Sequence, residues 1–148
     1  MRDYMLTKMS KIGCHVYAND GFEAVKVYKE AFGLDSNAPL LDDGGSLISQ
    51  ELRLNGELFM SVCDKKHMDD VMKKASSNIV NPIMLFTVFF KCKDDLQKAQ
   101  MCLCISENIF SGIKEPEKGV FYCDIVDKFG VMWHLCVPKD WNSSFIAK

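Results

Sequence analysis

The run Val131-Met132-Trp133-His134-Leu135-Cys136-Val137 places an imidazole in a strand-like alternation. Val131, Trp133, Leu135 and Val137 fall on one face, and Met132, His134 and Cys136 on the other. The first face suits packing under a helix. The second would then line a hollow, where His134 could act as a general base or touch a bound ligand near physiological pH. The structural alternative is a histidine hydrogen-bonded to a side chain of a neighbouring strand. His15 and Tyr17 share a face of the segment Ile12 to Ala18, and if that face points inward they would meet His134. A slip of one residue would send both outward. Tyr122 and Asp124 alternate with Phe121, Cys123 and Ile125 and could offer hydrogen-bonding groups to the same hollow. Glu51 shares its face with Ser49 and Arg53, and a solvated ion pair on an outer strand explains Glu51 and Arg53 as well as catalysis does.

Other chemically suggestive spacings carry less. Cys102 and Cys104 stand two apart on a predicted helix, where they point to nearly opposite sides. His67 and Asp70 could share a helical turn, but they sit in a charged segment that suits a solvated face. Phe86, Phe89 and Phe90 read as core and wall, because the basic residues that would track a phosphate backbone are missing.

These residues need a scaffold. A chain of 148 residues corresponds to one globular domain, large enough to fold without disulfides or metals. Lys+Arg 18 against Asp+Glu 20 leaves a net charge of −2, which excludes nucleic acid as a natural partner. The cysteines number seven, an odd set scattered through apolar segments, and Met1 to Ser10 has no secretory pattern. Reduced thiols and a cytoplasmic location follow as expectations. The most apolar stretch, Ile83 to Phe90, is too short to cross a bilayer, so no membrane association is expected.

Ile12 to Ala18 reads as a strand, and Asp20 with Glu23 three residues on opens a helix whose inner face is Ala24, Val25, Tyr28, Ala31 and Phe32. Gly33 suits the position just past its end. Ser46 to Leu54 and Leu58 to Cys63 form a predicted hairpin around Asn55-Gly56. The order then repeats. Ile83 to Cys92 is a strand-like run, and Asp94 starts a second helix with Leu96, Ala99 and Leu103 inward, ending by Asn108. Short apolar pieces follow at Ile109 to Ile113, Gly119 to Val126 and Val131 to Val137. The pattern predicts an α+β fold of two βαβββ modules, 11–63 and 81–138, joined by a linker, 64–80, within a single domain, 1–148. Met68, Val71, Met72 and Ala75 give that linker helical spacing. Trp141 and Phe145 in the tail suit docking on the body or on a second subunit. The rival is a ferredoxin-like βαββαβ order, which leaves the terminal strand pair unused.

Three strings are also familiar: Glu23-Ala24-Val25-Lys26-Val27-Tyr28-Lys29-Glu30-Ala31-Phe32-Gly33, Glu51-Leu52-Arg53-Leu54-Asn55-Gly56-Glu57-Leu58-Phe59-Met60-Ser61, and Asp127-Lys128-Phe129-Gly130-Val131-Met132-Trp133-His134-Leu135. In order and spacing, from Lys11 to Pro138, the chain resembles the PhnB-like branch of the glyoxalase/bleomycin-resistance (vicinal oxygen chelate) superfamily. The resemblance implies paired βαβββ modules curling into an eight-stranded cup with helices outside, and a homodimer.

In metal-dependent members the first and last strands of each module supply ligands to a divalent ion, which polarises paired substrate oxygens and stabilises an enediolate. The resemblance puts those positions at His134, four residues after Gly130, and at Met60, four after Gly56, whose thioether suits such ions poorly. The first-strand positions fall near Gly13, with His15 two residues along, and between Leu85 and Thr87, where no imidazole or carboxylate is available. Ser49 stands where PhnB-like sequences often have histidine. His134, His15 and Glu51 make an incomplete set, since a catalytic site needs at least three converging groups and an open position. The expectation is therefore a cup with no metal cofactor that binds or sequesters a small apolar or aromatic molecule, lined by His15, Tyr17, Glu51, Met60, Tyr122, Met132 and His134. The rival is a lyase, isomerase or dioxygenase, metal-dependent or acid/base, with His134 catalytic.

Overall fold

The computed structural model describes residues 13–76, 84–104, 109–110 and 112–139. Met1 to Ser10, the Ile12 start of the first predicted strand, the Ile83 start of the second module's strand, the Asn108 stop and the Trp141 and Phe145 tail lie outside the described residues. The elements are β1 (His15–Ala18), α1 (Gly21–Phe32), β2 (Asp35–Ser36), β3 (Leu40–Leu41), β4 (Leu47–Leu54), β5 (Glu57–Asp64), a 3-10 turn (Lys65–His67), α2 (Asp70–Ser76), β6 (Phe86–Phe89), α3 (Lys93–Leu103), β7 (Ile109–Phe110), β8 (Lys114–Glu117), β9 (Val120–Val126) and β10 (Met132–Val137).

The strands form two mixed sheets of one topology. The first runs β1-β5-β4-β2 with β3 also on β4; the second runs β6-β10-β9-β7 with β8 also on β9. In each, the first strand pairs in parallel with the last, and the remaining pairs are antiparallel. This is the repeated βαβββ order. The expected eight strands become ten because the edge strand of each module is broken in two. In the first module the break spans Asn37 to Pro39, where proline has no N–H for the ladder; in the second it includes Gly112. The pairing of Met132 through Val137 with Val126 through Phe121 uses the terminal strands and excludes the ferredoxin-like order.

Local chemistry explains the elements. Asp20 caps α1 by accepting the Glu23 N–H at 3.1 Å, and Gly33 ends it at φ 65. Asn55 (φ 52) and Gly56 (φ 82) make the left-handed pair that a two-residue hairpin turn requires. α3 begins one residue earlier than expected. Cys92 is its N-cap and provides no side-chain cap, while Asp94 and Asp95 sit in the first turn, where carboxylates favour the helix dipole.

One core joins the modules. Ala24, Val27, Tyr28 and Ala31 of α1, Leu96, Ala99 and Leu103 of α3, Leu52, Met60 and Val62 of the first sheet and Ile125, Trp133 and Leu135 of the second are buried in a single cluster. The Trp133 rings lie 4.9 Å from Phe32 and 5.7 Å from Tyr28, so α1 of one module packs on β10 of the other. The predicted strand from Ile83 is less buried than its apolar run suggests: Met84, Leu85, Phe86 and Phe89 are exposed, and Phe90 is the partly buried ring, 6.4 Å from Phe32. All seven cysteines are free. No helix among the described residues is long and apolar enough to cross a membrane.

Candidate functional site

Strand alternation divides each sheet into a core face and an outer face. In the first sheet Val16, Val62 and Leu52 point to the core, and His15, Ser61 and Glu51 form one row on the outer face, aligned by the His15–Ser61 and Glu51–Ser61 pairings. In the second sheet Trp133 and Leu135 are buried, and Thr87, His134 and Asp124 form the corresponding outer row. Each module thus carries one histidine, one alcohol and one carboxylate across its first, last and third strands, but in a different order.

The order decides what the row can do. In the second module histidine and carboxylate are direct neighbours, and His134 Nδ1 lies 2.6 Å from Asp124 Oδ1. The Tyr122 ring is 5.3 Å from the imidazole. Lys114, paired with Tyr122 in the ladder, brings its ammonium to 5.7 Å from the centre of that ring. Met132 and Cys136 flank His134 on the same face, and burial pushes the Cys136 thiol up from its ordinary value.

In the first module Ser61 stands between His15 and Glu51. Glu51 is instead ion-paired with Arg53 and accepts the Asn37 side-chain N–H at 3.1 Å. His15 Nδ1 lies 4.0 Å from Cys63 Sγ, whose thiol is raised chiefly by burial. The described contacts of His15 and of His134 each run within their own sheet. Tyr17 lines a separate cleft of about 230 Å³ with Asn19, Asp20, Glu23, Lys65, Lys128 and Phe129, at the start of α1.

Met60 is placed differently from the expectation. A β-bulge at Leu52/Arg53 pairs Leu52 with Met60 and Arg53 with Leu58, so Phe59 is an extra residue on β5. Counting four residues from Gly56 therefore lands one short of the position that matches His134, which is Ser61. Met60 itself is fully buried on the core face and lines a small cavity of about 110 Å³ with Cys14, Phe59, Phe86, Thr87, Val88 and Trp133. His67 bonds Asp42 at 3.0 Å rather than Asp70.

The strand pairing makes His15 and Ser61 of the first module the counterparts of Thr87 and His134 of the second, where the resemblance had the neighbourhood of Gly13 and Met60. Two imidazoles and two neutral alcohols are a poor donor set for a catalytic divalent ion. Among the described residues no three His, Cys, Asp or Glu side chains converge on one point. The residues present do not fit the metal centre that the resemblance implies for metal-dependent members.

Ser61 and Thr87 enter the sequence reading only as the end of a familiar string and as the bound of a ligand position, with no role of their own, and Lys114 falls among short pieces whose register nothing fixes. The Asp124–His134 pairing did have a signal, because counting outward from the Asp127–Gly130 turn sets the two opposite each other.

No protein-family model matches the sequence, and no curated protein does. Solved structures do. A PhnB protein from Bacillus cereus is 18% identical, covering 87% of this chain and 100% of its own, with a TM-score of 0.65. A gene product from Arabidopsis thaliana is 24% identical over 86% of this chain and 98% of its own, TM-score 0.58. A glyoxalase/bleomycin resistance protein/dioxygenase family enzyme from Burkholderia phytofirmans is 11% identical over 83% and 94%, TM-score 0.57. With two βαβββ modules in two mixed sheets and these structural neighbours, the chain has the glyoxalase/bleomycin-resistance/dioxygenase fold.

Proposed function

We propose that the protein binds, and so sequesters, a small, largely apolar or aromatic molecule against the outer face of its sheets. The observation that carries this reading is the make-up of the second sheet's outer face. Met132, Cys136, Tyr122 and Phe89 supply apolar surface there, and His134, Asp124 and Thr87 a few polar groups. Small-molecule sites use that combination of apolar lining and a few placed polar groups. Methionine adapts to varied ligand shapes. The alcohols at two of the four counterpart positions favour binding over metal chemistry. The same reading makes the protein a cytoplasmic homodimer with a small-molecule partner.

Two measurements on the purified full chain test it. Equilibrium dialysis against Ni, Co, Zn and Mn should show no tight stoichiometric uptake. Titration with the apolar fluorophore anilinonaphthalene sulfonate should saturate and weaken in Met132→Ala and Tyr122→Ala. Tight stoichiometric metal, or a titration without saturation, overturns the reading.

The second reading is an acid/base lyase or isomerase, and the His134–Asp124 contact favours it. It requires a substrate whose turnover is abolished by His134→Ala.

A further inference from the structure

The outer face of the second sheet carries a proton acceptor with its own orienting group. Asp124 Oδ1 lies 2.6 Å from His134 Nδ1. A carboxylate can only accept, so Nδ1 holds the hydrogen and the lone pair of the neutral ring sits at Nε2. Among the described residues the polar contact of His134 is this one, made through Nδ1. The imidazole is about one third exposed, at 32% of its side-chain surface, and Nδ1 is taken up by Asp124, so the ring nitrogen left for a ligand is Nε2.

The surroundings say which ligand. Tyr122 offers an aromatic face 5.3 Å from the imidazole, and Lys114 a cation 5.7 Å from the Tyr122 ring. Asp124 and Tyr122 face His134 from β9, Lys114 from β8 and Thr87 from β6; Cys136 lies on its own strand, and Glu117 on β8 is taken up by Lys139. A base, an aromatic wall and a cation on one face suit an aromatic molecule that gives up a proton and becomes an anion. The first module has the same three residue types in its row but not this arrangement, since Ser61 separates His15 from Glu51 and Arg53 engages the carboxylate.

The geometry points to Asp124 as a positioning residue that fixes His134 as the Nδ1–H tautomer, so that Nε2 accepts the hydroxyl proton of a bound phenol. The O–H bond of the phenol breaks and an N–H bond forms at Nε2. The products are an imidazolium still bonded to Asp124 and a phenolate held beside Lys114 and Tyr122. This rests on the proposed binding role and names the ligand class.

Proton–nitrogen correlation spectra of the full chain, at a pH where imidazole is neutral, should show His134 as the Nδ1–H tautomer. Asp124→Ala should move it toward the Nε2–H form. A wild-type ring already in the Nε2–H form overturns the proposal, and that reading needs no variant. para-Cyanophenol, which is still largely protonated in water at about pH 7 where imidazole is mostly neutral, and whose ultraviolet absorbance reports its ionisation, should bind with the phenolate band and about tenfold more tightly than para-cyanoanisole, which has no proton to give. His134→Gln should abolish the band. Equal affinity for the two probes, or binding of neither, overturns this proposal, while the binding role itself stands or falls on the fluorophore titration.

Discussion

The Tyr28 hydroxyl donates to Asp127 Oδ2 at 2.6 Å across 99 residues of sequence, tying α1 of the first module to the β9–β10 turn of the second. The same oxygen accepts the Trp133 indole N–H at 2.9 Å, and Oδ1 accepts the backbone N–H groups of Phe129 and Val131 at 2.9 and 3.0 Å. Asp127 is buried, so four donors satisfy a carboxylate that water does not reach. Burial, and then the Asp127 charge, keep the Tyr28 phenol protonated as a donor, well above its ordinary range.

Asp127→Ala should lower stability by on the order of 3 kcal/mol, because it strands the tyrosine and indole donors together in the core. Tyr28→Phe should cost less, about 1–2 kcal/mol, since three donors to the carboxylate remain. Urea unfolding of the two variants checks both the size and the ranking. An Asp127→Ala protein as stable as wild type would remove this network from the account of how the modules hold together.

Gly21→Ala should destabilise by about 1–3 kcal/mol through overpacking. A Cβ there would lie 2.8 Å from Asp64 Oδ1 and 2.8 Å from Leu47 Cδ2. Asp64 cannot move away without losing the Gly21 N–H at 2.7 Å and the Leu47 N–H at 2.9 Å that it accepts. Thermal unfolding should show a lowered midpoint, and Gly112→Ala, where a Cβ meets nothing within 4 Å, is the control.

Asp42 should make the fold acid-sensitive. The Ser46 N–H, then the Lys66 ammonium, hold its carboxyl at about 2, down from an ordinary 3.8. A group with a depressed folded value stabilises fully above its unfolded value and loses that contribution as pH falls through the folded one. The urea midpoints of wild type and Asp42→Asn should therefore differ most above about pH 4 and converge toward about pH 2. A difference independent of pH would contradict the assignment.

Thiol labelling should rank the cysteines. Burial, with smaller contributions from Cys104 and Asp124, pushes the Cys123 thiol up to about 12, and Cys123 is fully buried. Cys92 is exposed. The thiolate is the reactive form, so a disulfide reagent at neutral pH should label Cys92 rapidly and Cys123 only on unfolding. Mass mapping of the labelled protein reads the order, and early labelling of Cys123 would contradict it.

Much of the scaffold was legible because it rests on local chemistry. Asp20, Gly33 and Asn55-Gly56 mark their caps and turn from within a few residues, and the alternation around His134 follows from the period of a strand. What stayed hidden depends on pairing. The bulge that adds Phe59 is a property of two strands together, so Ser61 rather than Met60 on the outer face was invisible in β5 alone. The exposure of Phe86 and Phe89 was likewise unreadable, since an apolar letter does not say which elements come to cover it. Asp124 was seen as a possible lining residue, yet its bond to His134 required the register.

The bond between Tyr28 and Asp127 also gives the duplicated fold a direction. The β4–β5 turn is closed by Asn55-Gly56, whereas the β9–β10 turn carries the carboxylate that receives the tyrosine. The halves are therefore not interchangeable. A chimera made of two first halves would keep the sheet topology and leave its leading helix with an unanswered phenol, whereas a circular permutant that merely reverses the order of the halves would retain the link.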